Sequence, residues 1–143
     1  MPAKDPVLLV EDNDDDVFFF QRAWQAASPA CELSVVRDGQ QAIEYLSGQG
    51  KFSGRDPSSP PAIILLDLKL PFKDGHEVLG WIRADPTCRR VVVVCLTSSR
   101  ERADVSRAYE AGANGYLVKP ANTGQLTEMV KAFKSYWLEF NVV

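Results

Sequence analysis

Five short apolar runs recur along the chain at fairly even intervals: Val7–Val10, Leu33–Val36, Ala62–Leu66, Val91–Leu96 and Tyr116–Val118. Each has the length of a β-strand. The first, third and fourth are unbroken in aliphatic residues rather than alternating with polar ones, which predicts parallel strands covered on both faces. Between the runs lie stretches of helical periodicity. Three open on a capping pattern, a short polar side chain followed three positions later by Gln or Glu: Asp38 with Gln41, Ser98 with Glu101, and Asn122 with Gln125. Strand and helix thus alternate five times, which predicts one parallel sheet with right-handed crossovers and helices on both sides. The helical core is expected from Phe18, Trp24, Ile43, Leu46, Val78, Leu79, Ile82, Val105, Tyr109, Leu126, Val130 and Phe133. The long irregular segment Gly48–Pro61, punctuated by Gly and Pro, reads as a surface loop.

Composition narrows the class. A length of 143 residues is enough for one domain and cramped for two. A net charge of −3 without a block of Lys and Arg leaves no electrostatic footprint for nucleic acid or an anionic membrane. The longest apolar run, six residues, is far too short to span a bilayer. Met1–Asp5 carries no signal-like apolar stretch, and three cysteines without paired spacing suit a reducing compartment, so a cytoplasmic protein is expected.

In an open parallel sheet, chemistry sits outside the carboxyl ends of the strands. There the sequence places Glu11 and Asp12 after the first strand, Asp67 after the third, Thr97 after the fourth, and Lys119 with Pro120 after the fifth. No glycine-rich phosphate cradle is present, and carboxylates in the first turn would repel a bare phosphate. Three acids brought together need a divalent ion to offset their repulsion, and an all-oxygen set suits Mg²⁺. With the ion in place, Asp67 could act as nucleophile toward a phosphoryl group, while Lys119 offsets charge on its oxygens and Thr97 donates a hydroxyl. The predicted reaction is phosphoryl transfer to a carboxylate.

These motifs, Leu8-Leu9-Val10-Glu11-Asp12-Asn13, Leu65-Leu66-Asp67-Leu68-Lys69-Leu70-Pro71 with Asp74-Gly75, Leu96-Thr97-Ser98, Gly112-Ala113 and Tyr116-Leu117-Val118-Lys119-Pro120, resemble the receiver domains of bacterial two-component response regulators. Their order and intervals make the combination specific, and it covers nearly the whole chain. The resemblance implies a flavodoxin-like α/β fold, a five-stranded parallel doubly wound sheet of strand order 2-1-3-4-5, with a receiver domain over residues 6–139 and a tail over 140–143. It implies that Asp67 is the phosphoacceptor for a sensor histidine kinase or phosphotransfer protein, and that Glu11, Asp12, Asp67 and the backbone carbonyl of Lys69 hold Mg²⁺. Lys119 would touch the phosphoryl group, Thr97 and Tyr116 would be the switch pair, and the bond before Pro120 would be cis. No output module follows, which resembles a stand-alone regulator. The long third-strand approach and the ending Ser135-Tyr136-Trp137-Leu138-Glu139 resemble the small regulators that partner phytochrome-type or hybrid kinases. Lys69 departs from the neutral side chain of many relatives.

Other readings have local discriminators. A haloacid-dehalogenase-type phosphohydrolase would carry Asp-x-Asp early in the chain, whereas position 69 is Lys. An adaptor that works without phosphorylation would have no need of Asp12, Asp67, Thr97 and Lys119 together. Asp14, Asp15 and Asp16 read as helix-start residues that complement the dipole. His76 reads as a surface or helix-start residue, and Cys95 as a small buried one. At the other end, Phe133, Trp137 and Phe140 share helical spacing. With Tyr136, Leu138, Val142 and Val143 they predict an apolar patch, and a homodimer through the last helix and fifth-strand face.

Overall fold

The computed structural model describes residues 7–27 and 31–142. Pro6, where the domain is expected to begin, and Val143, in the expected apolar patch, lie outside them. Strands β1 (Val7–Val10), β2 (Leu33–Val36), β3 (Ile63–Leu66), β4 (Val92–Thr97) and β5 (Gly115–Val118) alternate with α1 (Asp14–Ala27), α2 (Gly39–Ser47), α3 (Gly75–Ala84), α4 (Arg102–Glu110) and α5 (Thr123–Lys134). All strand pairs are parallel, in the order β2-β1-β3-β4-β5. The predicted sheet and its order are therefore present, with boundaries within about one residue.

Period-two alternation along the strands divides the core into two layers. Leu8, Val10, Ile64, Leu66, Val93 and Cys95 pack with Ala42, Tyr45 and Leu46 of α2 and Val78, Leu79 and Ile82 of α3. Val7, Leu9, Ile63, Leu65, Val94 and Leu96 pack with Phe20, Ala23 and Trp24 of α1 and Val130 and Phe133 of α5. Because the central strands are covered on both faces, they carry no polar side chain until they end, and the chemistry is confined to the rim.

Several helical expectations need correction. Phe18 is 53% exposed, because the buried stripe of α1 is Val17, Phe20, Ala23 and Trp24, and six residues of helix place Phe18 and Trp24 far apart around the axis. The Arg22 guanidinium covers the Phe18 ring instead. Tyr109 is 48% exposed, since α4 lies shallowly and buries only Ala108 fully. The caps at Asp38 and Asn122 form as predicted, each side chain accepting from the backbone N–H three residues on. The one at Ser98 does not: α4 starts later, after Glu101, and Ser99 Oγ binds Asp104. A complete capping box, unpredicted, joins Asp74 and Glu77 at the start of α3.

The chain after Lys134 departs from expectation in its winding alone, since Phe140 is expected at the exposed end of the stripe. Ser135–Phe140 continues as a π turn, which is wider than an α turn and rotates the stripe. Phe133 is buried and Trp137 packs against the same layer, but Phe140 is turned out, 78% exposed.

One close approach ties α3 to the rim. A Cβ on Gly75 would stand 2.5 Å from the carbonyl oxygen of Asp67, so only glycine lets the helix start where it does. On the far side, Arg83 of α3 donates to the carbonyls of Arg89, Val91 and Gly112 and to Asn114 Oδ1, gathering the loops around β4.

Candidate functional site

The sheet register assembles the site. Val10 pairs with Leu66, and Leu66 with Cys95, so β1, β3 and β4 run out together at one edge. The backbone beyond each strand stays bonded to its neighbour. Glu11 N–H donates to the Val36 carbonyl at 3.0 Å, Asp67 N–H to Val10 at 3.1 Å, and Lys119 N–H to Thr97 at 2.8 Å. Each functional side chain therefore leaves from a fixed backbone.

Carboxylate oxygens of Glu11, Asp12 and Asp67 lie within 4.8 Å of one another. Glu11 and Asp67 are buried, at 2% and 6% exposure, and Asp12 faces solvent. Burying two acids side by side is unfavourable unless cations meet them. Lys119 meets them in part: its Nζ is 2.6 Å from Glu11 Oε1, 2.9 Å from Asp16 Oδ2 and 3.3 Å from Asp67 Oδ2. The other Asp67 oxygen accepts from the Lys69 backbone N–H at 3.2 Å. Burial pushes Glu11 up to about 7, against the pull of Lys119 and with the help of the Asp67 charge. Burial alone would lower Lys119, but its contacts with Glu11, Asp16 and Asp67 outweigh it and raise the ammonium above its ordinary value.

Thr97 ends β4 almost fully buried, at 1% exposure. Tyr116 of β5 is half-buried and donates its hydroxyl to the Ser99 carbonyl at 2.9 Å. Both line a cleft of about 460 Å³ together with Asp12, Lys69 and His76. The cleft opens beside the acids, with Asp12 in its lining. An all-oxygen trio of this spacing fits a hard divalent cation that keeps some of its waters.

The sequence matches the response regulator receiver domain over residues 7–131. The chain belongs to the response regulator receiver family. It is 41% identical over 133 residues to the response regulator Rcp1 of Synechocystis sp., covering 93% of this chain and 88% of that protein. The crystal structure of the phosphorylated cyanobacterial phytochrome response regulator RcpA superposes with a TM-score of 0.88 at 38% identity, covering 98% of both chains. The Mn²⁺-bound form of Rcp1 superposes with a TM-score of 0.85 at 39% identity, covering 96% of both.

Within this receiver domain the structure gathers Glu11, Asp12, Asp67, Thr97 and Lys119 at one edge, with Tyr116 beside them. One expectation fails: no cis peptide bond occurs among the described residues, so the bond before Pro120 is trans. The Lys119 ammonium reaches its three carboxylates with that ordinary geometry. His76 is the second residue of α3, half-buried at the cleft, and burial with the Arg107 charge lowers its pKa. Asp16, read from sequence only as a helix-start acid, sits on the lysine. The sequence signal, a place on the first turn of the helix that leaves the acidic strand end, is one that Asp14 and Asp15 share. Phe72, on the loop after Asp67, is 85% exposed at φ +67°.

Proposed function

We propose that this receiver domain is a phosphoryl-accepting switch with Asp67 as the acceptor. The observation that carries the reading is the buried Asp67 carboxylate, held between the Lys119 ammonium and the Glu11 and Asp12 acids. An Asp67 oxygen attacks the phosphorus of a phosphohistidine; a P–O bond forms as the P–N bond breaks, and the electron pair leaves with the imidazole. Lys119 offsets charge on the phosphoryl oxygens, and Thr97 offers its hydroxyl. Glu11, Asp12, Asp67 and the Lys69 backbone carbonyl would hold Mg²⁺, which would neutralise the charge that accumulates there. The Mn²⁺-bound form of Rcp1 supports a divalent ion. The chain would catalyse only its own phosphorylation and dephosphorylation. Thr97 and Tyr116 would relay the change; turning Tyr116 inward gives up its bond to Ser99, a cost of about 1 kcal/mol.

The working unit is residues 6–139, and the phosphoryl source is a sensor histidine kinase of phytochrome or hybrid type, or a phosphotransfer protein. The likeness to RcpA supports the phytochrome link. The downstream target is a protein, and the compartment is the cytoplasm; no helix among the described residues is long and apolar enough to cross a membrane. Intact-mass spectrometry tests the chemistry. The protein gains one phosphoryl group from acetyl phosphate when Mg²⁺ is present, and uptake that survives chelation of the metal overturns the reading.

Lys69 is exposed at the cleft, and its ammonium lies within Coulomb reach of a phosphoryl group on Asp67. It neutralises the group or obstructs attacking water, so Lys69→Asn is expected to speed phosphoryl loss. A decay followed by mass that is unchanged or slower counts against this.

The end of the chain supports a homodimer. Tyr136, Phe140 and Val142 are exposed beyond α5, at 56%, 78% and 93%, and a twofold axis along α5 and β5 would cover them. The π turn makes Phe140 the better probe, because Trp137 belongs to the core. Sedimentation over a concentration series should show association that weakens on Phe140→Glu and tightens on phosphorylation. A monomer throughout, indifferent to the substitution, would refute it.

A further inference from the structure

The Lys119 ammonium makes one contact that the acceptor chemistry does not use. Its distance to Asp16 Oδ2, 2.9 Å, is shorter than the 3.3 Å to Asp67 Oδ2. Yet Asp16 is not among the three acids whose oxygens converge. It is placed with care. Asp16 N–H donates to Asn13 Oδ1 at 2.9 Å, and Asn13 N–H donates to Glu11 Oε2 at 3.2 Å, so two side-chain bonds fix the path from the end of β1 into α1. Asp14, two residues earlier, points elsewhere and pairs with Arg37.

We infer that Asp16 is a positioning residue for phosphoryl transfer, one that holds the Lys119 ammonium beside Asp67 where the incoming phosphoryl oxygens need it. The inference rests on the roles proposed above for Asp67 and Lys119. A lysine carries its charge on a four-carbon stem with several rotatable bonds, and left untethered it spreads that charge over many positions. Of the three carboxylates that hold it, Glu11 and Asp67 belong to the metal-binding trio, and a bound divalent ion competes for their oxygens. Asp16 stands outside that competition. It keeps an acceptor on the ammonium from the α1 side while β5 holds the backbone from the other, so the charge is in place before the donor arrives. Its side chain is 44% exposed, which weakens the attraction through solvent screening and sets the effect well below that of losing the lysine itself.

The same contact could instead serve only α1, since an acid on the first turn complements the helix dipole. A double-mutant cycle separates the two roles. Phosphoryl uptake from acetyl phosphate is measured at saturating Mg²⁺ for the natural protein, Asp16→Ala, Asp16→Asn, Lys119→Ala and the double Ala variant. Asp16→Ala is expected to slow uptake about tenfold. Asp16→Asn keeps an acceptor oxygen and should slow it less. Adding Asp16→Ala to Lys119→Ala should change nothing. A second measurement needs no metal: brief labelling with an amine-reactive ester, read by peptide mass, should modify Lys119 severalfold faster in Asp16→Ala, with the exposed Lys131 as internal standard. Equal slowing in both lysine backgrounds overturns the inference, as does uptake that is unchanged in Asp16→Ala, whatever the labelling shows. If Lys119→Ala itself takes up phosphoryl at the natural rate, the assigned role of the lysine fails first.

Discussion

Replacing Asp67 by Asn is expected to lower phosphoryl uptake from acetyl phosphate by at least about a thousandfold, because the amide carries no negative charge and its carbonyl oxygen is a far weaker nucleophile than a carboxylate. The shape is conserved, and the amide oxygen can still accept from the Lys69 N–H. The Asp67 N–H bond to Val10 is a backbone bond and remains. One negative charge leaves a crowded trio, so the fold should be as stable or more stable, and lost uptake cannot be ascribed to unfolding. Neither neighbour replaces the acceptor. Glu11 is engaged by Lys119 at 2.6 Å, and Asp12 faces solvent. Peptide mass spectrometry of the variant decides the matter: labelling of Glu11 or Asp12 at a rate near that of the natural protein would remove Asp67 from its role.

The second large effect is on stability against pH. Glu11 is raised from 4.5 to about 7 in the folded chain, chiefly by burial. Between those values the folded protein holds a proton that the unfolded chain has released. The stability it contributes is therefore complete below about 4.5 and is lost as pH rises through 7. At 1.36 kcal/mol per pK unit the loss is on the order of 3 kcal/mol. Lys119 does not disturb this window, because its pKa is raised from an already alkaline value and its contribution fades only at higher pH. His76 works the other way: burial lowers its pKa, so it favours the fold as pH rises through the region just below 6.5. Urea midpoints in chelator between pH 5 and 8, on the natural protein and on His76→Gln, should fall with pH, more cleanly in the variant. Mg²⁺ should restore stability most at pH 8, where Glu11 has no proton to displace. A flat profile for His76→Gln in chelator would show that Glu11 is not buried as described.

Legibility in the sequence followed the strength of the physical constraint. Strands covered on both faces must be apolar throughout, so β1, β3 and β4 could be read directly, and the residues that end them had to be the chemistry. Asp38 and Asn122 announced their helices, because a side chain bonding three residues ahead is a local event. Where several solutions cost nearly the same, the sequence was mute. Phe18 and Tyr109 lie on helices whose burial depends on how deeply each helix seats on the sheet, and Ala23 and Ala108 mark the seated faces more quietly than an aromatic does. The π turn after Lys134 accompanies the packing of Trp137 against the α1 and α5 layer, a tertiary contact that helical spacing in the sequence does not reveal. Asp16 lay in plain view among three consecutive acids, and nothing local told which of them meets a lysine 103 residues away.

Gly75 alters how any mutational screen of this protein must be interpreted. An alanine scan along the acceptor loop would score position 75 among its most damaging hits, alongside Asp67, although glycine contributes no reactive atom. The cause is clearance: a methyl group 2.5 Å from the Asp67 carbonyl oxygen forces the helix away from the loop and takes the carboxylate with it. Activity tables alone would merge a reactive group with the empty space that seats it, and only a parallel readout of folding, variant by variant, would tell these two kinds of necessity apart.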